Sequence, residues 1–208
     1  GTLPAFVNGT TTASALNWSE VGNGDLTATL SSGSYLLSGL SASGNTGTGG
    51  TVCNGAGNVG AFVPHHFNTY VTAPMTACPT GQTCPVAGWA YSGQALTVNV
   101  SAANASDAIT LNYDGTANTS PNFAKTVALT AWDAAGTTTT QDPPSADPGV
   151  LSNTSIAASA FNQGSTVLGT PATPTYTFAT TPTAPTDIYL RAADADASSL
   201  RAAPATSI

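Results

Sequence analysis

Two adjacent histidines, His65 and His66, are the side chains of this chain best suited to acid–base or metal chemistry near neutral pH. They lie in Pro64-His-His-Phe67, a segment whose composition indicates extended structure, and successive side chains of a strand point to opposite faces. We therefore expect one histidine to be packed or hydrogen-bonded and the other to be exposed, without a shared metal ion. Serine is abundant, but no nucleophile-elbow pattern occurs. The sequence accordingly predicts a protein that is not an enzyme and that carries no cofactor.

Three aspartates near the end of the chain, Asp187, Asp194 and Asp196, are the next candidates. Calcium takes six to eight oxygen ligands and is common between extracellular β-domains, so carboxylates at such spacing raise the question of a calcium site. The spacing is not that of an EF-hand loop, because neither the glycine nor the closing glutamate follows. On a strand Asp194 and Asp196 would share one face, which favours a solvated strand edge over a metal site.

Cysteine usage points to an oxidising, extracytoplasmic setting, because three cysteines occur in a chain with a single lysine. Cys78 and Cys84 flank the turn-like segment Pro79-Thr-Gly-Gln-Thr83, which is short enough for a disulfide to close. We predict a Cys78–Cys84 disulfide, with Cys53 left over; a bond from Cys53 to either partner is the alternative. The spacing of the three thiols matches no structural zinc pattern.

The composition excludes two classes of partner. Only 6 % of the 208 residues are charged, against about 25 % in an ordinary soluble domain, and the formal net charge is -7. Three scattered cations cannot neutralise a row of phosphates, so nucleic acid is not expected as a partner. Neither a polybasic segment nor an apolar run of about 18 residues occurs, so membrane insertion is not expected either.

The fold class follows from short segments in which apolar and polar residues alternate, separated by Gly, Pro and Asn. This rhythm predicts an all-β protein built from immunoglobulin-like β-sandwich modules. The Ala-rich stretch Ala192–Ala197 is expected to be non-helical. The segments predicted as strands are Asp25–Leu30, Ala95–Val100, Ala108–Tyr113, Thr126–Thr130, Thr175–Phe178 and Asp187–Ala192.

A weak internal similarity, between Ala5–Thr10 and Ala160–Thr166 and the segments that follow them, suggests two modules. We predict a partial, strand-complemented β-sandwich over residues 1–72 and a complete immunoglobulin-like β-sandwich over residues 73–208. A half sandwich would leave an edge and an apolar face open to water. We therefore expect another copy, or residues beyond this sequence, to supply the missing strand, with Gly1–Thr12 and Ala193–Ile208 as the candidate donor segments.

The three tryptophans, Trp18, Trp89 and Trp132, could stack on sugars if they were exposed. Each lies in or beside an apolar segment, and we expect them to belong to the core.

Three motifs carry a family resemblance: Asn58-Val-Gly-Ala-Phe-Val-Pro-His-His-Phe67, Trp89-Ala-Tyr-Ser-Gly-Gln94 and Thr110-Leu-Asn-Tyr-Asp-Gly115. Together they resemble the domain of unknown function of MshQ-type proteins of bacterial mannose-sensitive haemagglutinin (MSHA) pilus systems, over roughly residues 16 to 200. The resemblance implies a non-catalytic extracellular structural component of a bacterial pilus or filament, located at the cell surface. Its expected partners are further copies of itself or other pilus and surface proteins. A carbohydrate-binding adhesin module, with surface glycans as partners, is the alternative.

Overall fold

Short strands dominate the computed structural model of this protein, which describes residues 3–14, 16–30, 38, 43–45, 59–72, 74, 80–81, 88–116, 122–132, 148–182, 186–195 and 206–207. The helical structure in these ranges is a single 3₁₀ turn at Ala158–Ala160. Among the described residues, no helix has the length and hydrophobicity that crossing a membrane requires. The strands are β1 (Gly22–Gly24), β2 (Thr27–Thr29), β3 (Ser43–Asn45), β4 (Val59–Phe62), β5 (His66–Thr72), β6 (Thr97–Ala103), β7 (Val127–Trp132), β8 (Gly149–Ser152), β9 (Ser155–Ile156), β10 (Thr175–Phe178), β11 (Tyr189–Ala193) and β12 (Thr206–Ser207).

One layer of the protein is an antiparallel sheet with the strand order β12-β11-β7-β9. Its inward side chains alternate along the strands, as in Val127, Leu129 and Ala131 of β7, which are all buried. Leu190 of β11 is buried beside Ala131, its partner in the ladder. Because the side-chain period of a strand is two, this alternation fixes which face of the sheet forms the core.

The second layer centres on β5 and β6, which pair antiparallel from His66↔Ala103 to Thr72↔Thr97. On its other side β6 exchanges backbone hydrogen bonds with the segment 164–174, and this segment leads directly into β10, which pairs with β8. The chain passes from β8 in this layer to β9 in the first layer at a sharp corner, where Asn153 adopts φ 57°. Asn tolerates this left-handed conformation better than most residues do.

The two layers enclose a single hydrophobic core, and the predicted all-β sandwich is therefore confirmed. A hydrogen bond from Thr69 Oγ1 of β5 to the carbonyl oxygen of Leu190 of β11, 3.2 Å long, joins the layers directly. Strands occupy most or part of five predicted segments, in β2, β6, β7, β10 and β11. Ala192 and Ala193 lie in β11, so the expectation that they are not helical is also confirmed.

The strand predicted at Ala108–Tyr113 is wrong. The Asn104 side chain accepts hydrogen bonds from the backbone N–H groups of Ser106 and Ala108, at 2.9 and 3.1 Å, and so caps a turn directly after β6. Asp107, inside that turn, adopts φ 63°. The chain then makes an isolated bridge at Ala103↔Ile109 and turns again at residues 111–112.

Burial over residues 109–111 is also the reverse of the expected pattern, although Tyr113 at the end of the segment is buried. Ile109 and Leu111 are exposed, whereas Thr110 is buried and its hydroxyl and N–H both donate to the carbonyl oxygen of Ala102. A polar side chain with a hydrogen-bond partner can occupy a core position at little cost. Alternation alone therefore misassigned the buried face.

The segments before β5 are attached to this sandwich at its β6 end. The Asn104 side chain donates to the carbonyl oxygen of Ser19, and the Glu20 carboxylate accepts the N–H of Asn112. Gly22, at φ +117°, lies so close to the ring of Phe123 that a Cβ atom would be 2.5 Å from it. Glycine at this position therefore permits β1 and its partner β4 to pack against the main body. The division between residues 72 and 73 stays a prediction; β5 and β6, which lie on either side of it, pair along their whole length.

Candidate functional site

The first and third sequence motifs meet in the core. Phe67, which closes the first motif, and Tyr113 of the third motif contact edge to face with ring centroids 5.4 Å apart. Phe161 contacts Tyr113 in the same manner at 5.1 Å. All three rings are buried, and edge-to-face pairs of this kind are a favoured aromatic arrangement.

Two buried carboxylates are satisfied around this aromatic cluster. The Tyr113 hydroxyl donates to Asp194 Oδ2 at 2.6 Å, so Asp194, predicted at a solvated edge, is instead buried and hydrogen-bonded. Asp114 accepts the N–H and hydroxyl of Thr116 through Oδ1 and the N–H of Gln163 through Oδ2, at 2.7 to 3.0 Å. Buried carboxylates require such donors, and here the donors come from two separate parts of the chain, the turn at residues 113–116 and Gln163. These aspartates organise the fold and present no open reactive group.

Glycine at the end of the third motif has a direct steric reason. A Cβ atom on Gly115 would lie 1.8 Å from the carbonyl oxygen of Ala158, at the start of the 3₁₀ turn. The second motif likewise forms a turn: Gly93 adopts φ +76°, and the Gln94 side chain accepts the N–H of Tyr91 at 3.0 Å. The glycine of each motif is therefore required by the backbone: Gly115 by a close contact and Gly93 by its positive φ.

The two histidines do not separate to opposite faces as expected, because β5 begins only at His66 and His65 lies outside the strand. Their Nδ1 atoms are 2.9 Å apart, and His66 Nε2 lies 3.0 Å from Asp107 Oδ1. Since a carboxylate can only accept, His66 donates through Nε2; a neutral His66 then accepts at Nδ1 from His65. The result is an ordered chain from His65 through His66 to Asp107.

Asp107 is the end point of that chain and is mostly exposed, at 72 % for its side chain against 14 % for His66. Asn68 Nδ2 also donates to Asp107 Oδ1, at 2.7 Å. The hydrogen bonds from Asn68 and then from His66 hold the pKa of Asp107 below its ordinary value. In the part of the chain that the structure describes, no group of three His, Cys, Asp or Glu side chains is placed to hold a metal ion.

The side of the β5–β6 sheet that faces away from the core is almost entirely polar. Cross-strand pairing places Tyr70 opposite Asn99 and Thr72 opposite Thr97, so each pair shares this side. Tyr70, Thr72 and Thr97 are exposed. Asn99 Oδ1 is buried and accepts no hydrogen bond from any described residue. We call His66, Asn68, Tyr70, Thr72, Thr97, Asn99 and Asp107 the Tyr70 face.

Residues 20–207 of this chain match the model of the third domain of DUF6701. The chain belongs to this uncharacterised family. No curated protein and no solved structure matches the chain. The DUF6701 match spans all three sequence motifs, including the buried Phe67 and Tyr113.

The tryptophans of this DUF6701 domain occupy three different environments. Trp18 was expected in the core, but it is 52 % exposed and stacks on Phe62 at 6.0 Å. Trp89 is partly buried and contacts Tyr91 edge to face at 4.7 Å. Trp132 is partly buried on the outward side of β7, under the guanidinium of Arg191 at 4.1 Å. Burial lowers the pKa of Arg191 because the charged guanidinium loses hydration. The cation–π contact with the Trp132 ring offsets part of that loss.

The cysteines and two further aspartates are the other candidate site residues predicted from the sequence. The predicted disulfide partners Cys78 and Cys84 lie outside the described residues, as do Cys53 and Asp196. Asp187 is exposed just before β11, apart from the buried Asp194.

Sequence reasoning missed Asp107 and Asn99. The period-two spacing of His66, Asn68 and Tyr70 could have indicated the Tyr70 face, but no sequence signal placed the Asp107 loop beside β5.

Proposed function

We propose that this DUF6701 domain is a non-catalytic structural module of an extracellular bacterial surface protein, associated with a pilus or filament as the MshQ resemblance implies. One observation carries this proposal: the residues of the recognisable motifs serve the fold. Phe67 and Tyr113 fill the core, the Asp114 carboxylate joins its own turn to Gln163, and Gly115 permits a close backbone approach. A catalytic family would be expected to keep its signature residues in an open cleft instead.

Assembly by strand exchange is the second part of the proposal, and the exposed N-terminal segment supports it. Val7 and Thr10 form a tight hairpin around Asn8 and Gly9, which both have positive φ. Phe6 and Val7 are 64 % and 70 % exposed. Apolar side chains displayed on a short strand-like segment suit addition to a sheet edge of another copy or of a pilus protein. Such head-to-tail addition does not close and therefore propagates into a fibre.

The test is sedimentation velocity together with electron microscopy over a range of protein concentrations. We expect wild type to form elongated oligomers, and Phe6→Asp with Val7→Asp to remain monomeric. Leu168→Asp is the matched control, because Leu168 is similarly exposed at 59 % but lies on a different loop. A wild-type protein that stays monomeric throughout would refute strand exchange; fibres unaffected by the double substitution would refute the N-terminal donor.

A carbohydrate-binding adhesin module is the second candidate, and the exposed aromatic rings favour it. Trp18, Tyr70 and Tyr91 are 52 %, 56 % and 57 % exposed on a surface with very few charges. Aromatic rings that are open to solvent, beside amides and hydroxyls, offer stacking and hydrogen bonding to sugars. The test is binding of the purified domain to a glycan array, and a complete absence of binding would reject this candidate.

A further inference from the structure

The Tyr70 face combines an open aromatic ring with a row of polar groups in fixed positions. Along β5 the rise is about 3.4 Å per residue, so His66, Asn68 and Tyr70 follow each other at intervals of about 7 Å. Each is held in register by the ladder with β6, and Phe67 and Thr69 between them are anchored in the core. The backbone beneath this face is therefore rigid, which lowers the entropy lost on binding.

Two threonine hydroxyls lie next to Tyr70 on this face. Thr72 and Thr97 are opposite each other in the ladder, two positions along from the pair of Tyr70 and Asn99, and both are exposed. A hydroxyl group can donate and accept hydrogen bonds. A hydroxyl-bearing ligand lying on the Tyr70 ring would therefore meet donors and acceptors at these threonines.

Asp107 supplies an oriented acceptor at the other end of the face. Hydrogen bonds from Asn68 and His66 converge on its Oδ1 atom and fix the carboxylate, which remains largely open to solvent. An ionised carboxylate held in this way accepts strong hydrogen bonds from hydroxyl groups. It also repels anions, as does the net charge of -7.

From this arrangement we propose that the Tyr70 face binds an uncharged saccharide, with one sugar ring stacked on Tyr70, sugar hydroxyls hydrogen-bonded to Thr72 and Thr97, and a hydroxyl group donating to Asp107. The proposal rests on the carbohydrate-binding candidate above and gives that function a location and a ligand class. The Tyr70 ring selects a flat apolar sugar face, the threonine hydroxyls and the Asp107 carboxylate select sugar hydroxyls, and the negative field excludes acidic glycans and phosphates.

The experiment measures binding of neutral glucose, mannose and galactose oligosaccharides, with sialylated and uronate-containing glycans for comparison, on an array and then by calorimetry. We expect Tyr70→Ala to weaken binding of a neutral oligosaccharide at least tenfold, and Asp107→Asn to weaken it by a smaller factor because a charged acceptor becomes neutral. Tyr91→Ala and Trp18→Ala are the controls, since they remove equally exposed rings at other places. Thermal unfolding of each variant verifies that the fold is intact.

The outcomes separate the location from the function. Loss of binding in Trp18→Ala or Tyr91→Ala, with Tyr70→Ala unaffected, would overturn the location and leave the adhesin function standing. Stronger binding of acidic than of neutral glycans would overturn the ligand class. An absence of all glycan binding by wild type would reject both the function and the site.

Discussion

The two sides of the β5–β6 sheet differ in burial, although the side chains of the same two strands form both sides. On the inner side Phe67, Thr69 and Val98 are buried against the opposite layer, and even the Thr69 hydroxyl is used to bind that layer. On the outer side, the Tyr70 face keeps its ring and hydroxyls in solvent and a carboxylate in a fixed orientation. Neighbouring positions along one strand are therefore constrained differently: the inner side chains must pack in the core, whereas the outer side chains are not constrained by packing there.

The largest expected effect comes from replacing the inner aromatic of β5. Phe67→Ala should destabilise the protein by about 3–5 kcal/mol, because it removes a ring packed on Tyr113 and Phe161 and leaves a cavity. Tyr70→Ala, on the same strand but facing outward, should change stability by less than about 0.5 kcal/mol. Urea unfolding measures both. Similar costs for the two variants would contradict the division between the two sides.

The second prediction concerns the hydroxyl of the buried tyrosine. Tyr113→Phe keeps the ring but removes the donor to Asp194, and a lost hydrogen bond to a charged group costs about 1.5–3 kcal/mol. Tyr91→Phe, at an exposed tyrosine, should have almost no effect on the urea midpoint. An equally small change for Tyr113→Phe would mean that Asp194 does not depend on this donor.

The third prediction concerns close packing in the turn after Tyr113, at Gly115. Gly115→Ala would place a Cβ atom against the Ala158 carbonyl and should cost about 1–3 kcal/mol through local overpacking. Gly24→Ala is the matched control, since no atom lies within 4 Å of the Cβ position there. If the two alanines prove equally tolerated in thermal unfolding, the close approach at Gly115 is not a constraint.

The smallest effect is expected on the outer side, at Asp107. Its pKa is lowered in the folded state by Asn68 and His66, so its contribution to stability is complete above the unfolded pKa of about 4 and is lost as the pH falls through the folded pKa. Asp107→Asn retains a residue that tolerates positive φ but removes the titration. We expect wild type to be the more stable at pH 7 and this advantage to shrink below pH 4.

Urea midpoints at pH 7, 5 and 3 measure this difference. Asp187→Asn, at an exposed carboxylate before β11, is the comparison variant. A wild-type advantage that persisted unchanged at pH 3 would show that the carboxylate itself contributes nothing.

The sequence predicted strands best where alternation reflects burial on one face. β7 and β10 follow this rule, and so does β6 over residues 97–100, whereas the second half of β6 and the middle of β11 are buried on both faces. The alternation rule failed at Ala108–Tyr113, because the Asn104 side chain accepts hydrogen bonds from backbone N–H groups at the start of this segment and so forms a turn. Local alternation contains no information about such a turn.

The candidate site was less predictable, because its geometry depends on contacts between distant residues. The alternation rule for His65 and His66 holds only inside a strand, and the strand begins between them. Asp107 reaches His66 across 41 positions of sequence, and Tyr113 reaches Asp194 across 81. Trp18 was expected in the core from its apolar neighbours, yet its stacking partner is the partly exposed Phe62. Residue types indicated which groups were present, and only the tertiary fold determined which of them meet.

The hydrogen bond between Thr69 and Leu190 also has a consequence for the order in which the molecule folds. These residues are 121 positions apart, and Leu190 is a fully buried member of the core. Chains whose contacts are mostly distant in sequence fold slowly, because long loops must close before the contacts form. During synthesis from the N-terminus, Phe67 can pack on Tyr113 early, but Thr69 and the part of β5 that faces β11 lack their partner until β11 is made. During that interval the apolar side of the sheet is open to misassembly, and a factor that shields it would increase the yield of folded protein.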